Sequence, residues 1–199
     1  INDLNDLNGQ IDCKDHYTYN HSLRVMHFAR ELASQLRIPL EKMRCLLLAA
    51  MYHDVGKCYT PQELLNKPAR LTPEEYEVIK HHPSDSYALL KDRFPEEVAR
   101  IARSHHERLD GSGYPDGLTG DQMSLEVRII AVADTFDAMT SDRSYKKGRS
   151  PRQALSELYA LTNKYDENVL AVLRMMVEDG TAERICSMSE EELKAGAIS

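Results

Sequence analysis

The chain has 199 residues, 42% hydrophobic and 29% charged, a balance ordinary for a soluble globular protein and long enough to bury a core without disulfides. A formal net charge of −7 argues against polymeric nucleic acid as a partner, which needs a basic face, but leaves open a small phosphorylated substrate held through divalent metals. The four cysteines, Cys13, Cys45, Cys58 and Cys186, form no C-x-x-C pair, which argues against a zinc ribbon or disulfide framework and fits a reducing, cytoplasmic location.

In chain order, the opening INDLNDLNGQ has neither a signal-peptide pattern nor an initiating Met, and reads as the trimmed end of a longer protein with a sensor or receiver domain upstream. Leu23, Met26, Ala29, Leu32, Ala33 and Leu36 form one apolar stripe, so a long helix is expected to end before Pro39. A second apolar helix is expected from Glu41 to Tyr52. Its stretch Cys45–Tyr52 is the longest apolar run, eight residues against the roughly 20 of a membrane span, so no membrane insertion of this segment is expected.

Thr72-Pro73-Glu74-Glu75 is a capping box with Pro at the first helical position, Ser150-Pro151-Arg152-Gln153 repeats it, and Ser189 with Glu192 marks a short C-terminal helix. Pro95–Glu107 and Leu125–Met139 are apolar enough for core helices. Between them lies one Gly-rich loop, Asp110–Gly120, of a size that is often functional. After Ser150, Leu155, Leu158, Leu161, Leu170 and Leu173 fit a core better than a dimer seam. Strand patterning is nearly absent, and the expectation is a single all-α domain.

Three contexts set some of the eight histidines apart, since a lone histidine is more often a surface or core residue. His53-Asp54-Val55-Gly56-Lys57 ends the second helix. The pair can reach one metal, with Asp54 bridging two and Lys57 facing a phosphate; equally, Gly56 can be a left-handed cap and Lys57 a partner of the helix dipole. His105-His106-Glu107 precedes the Gly-rich loop, and neighbours on a helix point about 100° apart, suiting adjacent metals or simply solvent. Asp134 and Asp137 share one face of an apolar helix, where buried carboxylates ask for a cation. Imidazoles and carboxylates without thiolates suit Fe, Mn, Ni, Co or Zn, and paired metals suit phosphoryl chemistry.

Together these segments resemble the HD-GYP subgroup of the HD metallophosphohydrolases. The matching pieces are HSLRV at 21–25, HDVGK at 53–57, LLNKPARLTPEE at 64–75, HHP at 81–83, HHERLDGSGYPDGLTG at 105–120 and RIIAVADTFDAMTSDRSYK at 128–146. The resemblance implies a compact all-α HD-type domain with a GYP loop, here residues 16–185, preceded by an extension at 1–15 and followed by a helical tail at 186–199. It implies a metal-dependent phosphodiesterase that opens c-di-GMP or 3′,3′-cGAMP to the linear dinucleotide through a hydroxide bridging two metals, Fe or Mn being the usual occupants.

By motif, the metal ligands are expected to be His21, His53, Asp54, His82, His105, His106 and Asp134, with His82 chosen over His81 because it directly precedes the proline. Asp54 and Lys57 are expected to be catalytic. Lys57, Tyr114, Arg143 and Lys146 are expected to line the substrate pocket. Asp110, Gly111, Gly113 and Pro115 are expected to shape the loop, and Lys67 and Asp137 to support the ligands from behind or to hold the structure. His16, His27 and His81 are left as structural or surface residues. Members with three metals carry a Glu four residues before the first ligand His; here Tyr17 stands there, so two metals are expected, with slow onward cleavage to mononucleotides. A diguanylate cyclase is a further expected partner. The competing readings are an HD phosphohydrolase of another nucleotide, against which the intact loop and DRSYK speak, and a non-catalytic cyclic-dinucleotide sensor or adaptor.

Overall fold

The spacing of apolar residues decides which face of each helix turns inward. In the computed structural model, which describes residues 16–142, 147–161 and 163–198 together with residues 6 and 9, and of residues 16–18, 197 and 198 only the backbone, every described element is helical. Helix α1 (His16–Gln35) buries Leu23, Met26, Phe28, Ala29, Leu32 and Ala33, the expected stripe, with Leu36 only partly covered beyond its end. It stops where Arg37 takes a left-handed φ of 55° just before Pro39, a residue that cannot continue a helix. Helix α2 (Leu40–Tyr52) packs Leu46, Ala49 and Ala50 against it.

After α2 the chain tightens into a 3-10 turn (Val55–Tyr59). The short helices α3 (Gln62–Leu65), α4 (Pro73–Ile79), α5 (His82–Leu90) and α6 (Glu96–Arg103) follow. Thr72 and Glu75 form the reciprocal capping box at the start of α4. Helix α5 has no side-chain cap, and no sequence signal marked it; Pro83 lies in its first turn and it packs on the 3-10 turn and on α6.

Helix α7 (Leu125–Thr140) is the axis of the fold. It packs against α1, α2 and the later helices, and Phe136 meets Phe28 edge to face at 5.2 Å. Because it is covered on most sides it is apolar nearly all round. Helices α8 (Pro151–Ala160), α9 (Glu167–Glu178), α10 (Thr181–Cys186) and α11 (Glu190–Ile198) complete the described residues, with the expected capping boxes at Ser150 and Ser189. Leu155, Leu158, Leu170 and Leu173 join the core as expected, whereas Leu161, at the C-cap of α8, is 38% exposed. No described helix is long and apolar enough to cross a membrane.

Two local expectations need correction. The helix expected over 95–107 ends at Arg103, because Gly113 of the following loop lies against the backbone of His106, Glu107 and Arg108, where a continuing helix would have to run. Gly56 is not a left-handed cap: it is absent from the positive-φ glycines, and it is needed because α5 approaches too closely for a side chain.

A Cβ at position 56 would lie 2.2 Å from the His82 carbonyl and 2.5 Å from the Ser86 amide, so Gly56→Ala must push α5 outward. Urea denaturation is expected to show a loss of about 3 kcal/mol, at the upper end for overpacking; an unchanged midpoint would refute this account of the glycine.

Candidate metal centre

Helix ends aim the histidines. His53 lies just past α2, His82 opens α5 just past α4, and His105 lies just past α6. The last carbonyls of a helix have no partner within it. His53 Nδ1 donates to Ala50 O at 2.8 Å, His82 Nδ1 to Ile79 O at 2.6 Å, and His105 Nδ1 to Ala102 O at 2.5 Å. A carbonyl can only accept, so each Nδ1 carries a proton, and in the neutral ring the Nε2 lone pair points into the space where the helix ends converge. His82 Nε2 and His105 Nε2 face one another at 3.3 Å, an arrangement that two lone pairs keep only around a shared positive charge.

His21 is held differently. It projects from α1, and its Nδ1 donates at 2.7 Å to Asp137, whose other oxygen receives Arg24 Nε at 2.7 Å. Asp137 therefore finds its cation within the protein, and of the two carboxylates on that face of α7 only Asp134 turns to the cluster. The histidines and carboxylates are buried, apart from the partly exposed His106 ring, and Arg24 is half-buried.

The two carboxylates straddle the cluster. Asp54 Oδ1 lies 3.2 Å from His82 Nε2 and 3.8 Å from His105 Nε2, while Oδ2 lies 3.4 Å from His53 Nε2 and 3.8 Å from His21 Nε2. Asp134 does the same, with Oδ1 3.0 Å from His21 and Oδ2 3.7 Å from His106. The donors fall into two groups, His21–His53–Asp54 and His82–His105–His106, each with ligand atoms within 4.8 Å of one another. Their fit to a cation rests on two buried atoms that find no hydrogen-bond partner, His53 Nε2 and Asp54 Oδ1. Leaving a lone pair and a carboxylate oxygen dry and unpaired is costly, and a divalent ion satisfies both. Nitrogen and carboxylate donors without thiolate suit a first-row divalent metal.

The electrostatics agree. Burial works against the charged form of Asp54, yet Lys57 Nζ at 2.6 Å and the neighbouring histidines hold its carboxyl well below the usual range. Asp134 is held low in the same way against burial, first by His21. Burial, then the crowding of imidazoles that cannot all carry a charge together, pushes His105 and His106 well below the ordinary imidazole value, so both stay neutral and able to coordinate. His21 goes the other way: burial is outweighed by Asp134 and Asp137, and its pKa rises to about 9.

Around the cluster, the Tyr114 ring lies 4.7 Å from that of His106, and the peptide joining Tyr114 to Pro115 is cis. Gly111 takes a positive φ of 76°, and Asp110 accepts from the Ser112 amide, so both shape the loop. Lys67 gives its hydrogen bonds to Glu75 beside the α4 cap, the structural one of the two roles expected of it. His81 is exposed, and His27 is buried against the Leu193 carbonyl. Arg143, Lys146, and the side chains of His16 and Tyr17 lie outside the described residues.

Sequence reasoning missed three groups. Ser86 donates to the His53 carbonyl at 2.6 Å and accepts from the Gly56 amide at 2.9 Å, tying α5 to the His-Asp turn. Arg24 anchors Asp137. Glu107, fully buried, accepts the Asp116 and Leu118 amides at 2.7 and 2.9 Å, one on each oxygen, and so pins the loop to the turn that carries His105 and His106. Its place beside two histidines was the one available signal.

A model of the HD domain family matches residues 9–169. The chain is 45% identical over 160 residues to the cyclic di-GMP phosphodiesterase response regulator RpfG of Xanthomonas campestris, covering 79% of this chain and 42% of that protein. It is 41% identical over 147 residues to the 3′3′-cGAMP-specific phosphodiesterase 1 of Vibrio cholerae, covering 73% of this chain and 34% of that one. The chain thus spans well under half the length of these relatives. Among solved structures, the fold matches Bd1817 of Bdellovibrio bacteriovorus, described as an HDG"Y"P protein, with a TM-score of 0.67 at 23% identity over 79% of this chain and 51% of that one.

Metal uptake should depend on pH through His21, which must lose a proton held up to about 9 before it can coordinate. Apparent affinity is expected to rise by up to about tenfold per pH unit between pH 7 and 9 and then level off. Calorimetric titration with Mn²⁺ checks this, and His21→Gln should flatten the rise. Independently, Glu107→Gln aims an amide NH₂ at a backbone N–H and should destabilise the fold by about 2 kcal/mol. Hydrogen exchange across residues 110–120 should accelerate, and unchanged protection would refute the clamp.

Proposed function

The chain belongs to the HD domain family and to its HD-GYP type, and on that premise we propose that it is a metal-dependent phosphodiesterase opening c-di-GMP or 3′,3′-cGAMP to the linear dinucleotide. The observation that carries this reading is Asp54, whose two oxygens face two separate groups of histidines. In that reading His21, His53 and Asp134 hold one divalent ion, His82, His105 and His106 hold a second, and Asp54 joins them. Fe or Mn is favoured; Ni, Co or Zn suit the same donors. Such ions supply an activated water and charge stabilisation at the phosphate.

The chain's own residues do the rest. Asp54 and Asp134 keep the histidines registered on both sides of the site. Lys57, now on Asp54 Oδ2, is the side chain at the His-Asp turn able to meet phosphate charge once cations share that oxygen. Tyr114, tilted against the His106 ring, forms one wall, and Arg143 and Lys146 are assigned to the pocket by their motif alone. Tyr17 precedes His21 by one turn of α1 and offers no carboxylate, so two ions are expected, with the linear dinucleotide as the main product. A sensor or receiver domain upstream, a diguanylate-cyclase partner and a cytoplasmic location complete the proposal.

Anaerobically purified protein with Fe²⁺ or Mn²⁺ should convert one of the two cyclic dinucleotides to its linear form. Lys57→Met should keep its metals and lose about 10²-fold in kcat, the usual scale for removing one charge stabiliser. Asp54→Ala should lose both metal and turnover. Full metal content without turnover of either dinucleotide would overturn the proposal.

A further inference from the structure

From the metal cluster a series of rings leads outward. Tyr114 lies beside His106, and Tyr76 meets Tyr114 edge-on, centroids 6.3 Å apart and planes at 81°. Tyr76 stands on α4, a helix with no buried residue, and is itself 45% exposed, so it is not a core side chain. One turn later Lys80 sets its ammonium over one face of the Tyr76 ring, 5.4 Å from its centroid, and 5.9 Å from the centroid of Tyr114. Its carboxylate partner, Glu77, is 67% exposed, and an ion pair of that kind contributes little. The contacts of Lys80 with the two rings and its exposed ion pair are weak, so internal packing accounts for this corner only in part.

A flat base accounts for the rest. Purines bind proteins by laying a π-face on an aromatic ring and offering the N7/O6 edge of guanine to a cationic donor. We infer that Tyr76 and Lys80 form a base-recognition corner of the substrate pocket: Tyr76 stacks one purine of the cyclic dinucleotide, and Lys80 donates to the acceptor edge of that purine. The inference rests on the proposed function and extends it to residues outside the motifs that suggested that function. Tyr114 has a double part, backing Tyr76 on one side and walling the cluster on the other.

The test compares two substrates in the metal-loaded protein: c-di-GMP, and bis(p-nitrophenyl) phosphate, a diester without a purine. In Tyr76→Leu the ratio of their kcat/KM values should fall about tenfold, within the range that one stacked base is worth, through KM of the dinucleotide. Tyr76→Phe should restore it. Lys80→Met should lower the same ratio. A second readout needs no turnover: in metal-free protein, saturation-transfer NMR should show guanine H8 receiving magnetisation from the wild type and losing it in Tyr76→Leu. A ratio that stays constant while both rates fall would mark Tyr76 as a structural prop. An unchanged KM, or undiminished transfer to H8 in Tyr76→Leu, would likewise overturn the corner. A wild-type protein that cleaves the nitrophenyl diester but neither cyclic dinucleotide would instead overturn the substrate reading on which the corner rests.

Discussion

Everything at the centre of this molecule depends on keeping imidazoles and carboxylates dry without leaving them unpaired. A buried polar group without a partner costs on the order of 1–3 kcal/mol, and a charged one more. The fold meets most of that demand internally. Three helix ends turn their free carbonyls onto histidines that follow them, one contact that both caps the helix and sets the tautomer. Asp137 and Arg24 do the same for His21. What remains, His53 Nε2 and Asp54 Oδ1, is the part that the protein leaves for a cation.

This economy explains why the centre sits where the helices are short. Long helices α1 and α7 supply rigid backs from which His21 and Asp134 project at fixed depth. The short elements between α2 and α7 supply ends, and only ends offer carbonyls without a helical partner. Ser86 and Glu107 then lock two of those ends in place, one by tying α5 to the His-Asp turn, the other by tying the glycine-rich loop to the turn after α6. Stability and function are coupled through the same few contacts, so the changes that loosen these turns should also misplace ligands.

Much of this was legible in the sequence, for local reasons. The stripe of α1 and the capping boxes at Thr72 and Ser150 are short-range patterns, and they reappear in the structure. The resemblance of HDVGK, HHP and HHERLDGSGYPDG to a known family named the residues that converge, which no periodicity could have done. What stayed hidden depends on distant segments. Gly56 is small because of α5, about thirty residues on, whereas the sequence offered a left-handed cap as one of two readings. Helix α6 stops early because Gly113 comes back against it. Lys67 was open to either a structural or a ligand-supporting role, and only its distant partner, Glu75 on the neighbouring cap, points to the former.

On the proposed function, Asp54 joins two cation sites. Crystals grown with Mn²⁺ and measured near the manganese absorption edge test it directly. Two anomalous peaks are expected, one among His21, His53 and Asp134 and one among His82, His105 and His106, with one oxygen of Asp54 in contact with each. A single peak, or two peaks that leave Asp54 untouched on Lys57, would contradict it.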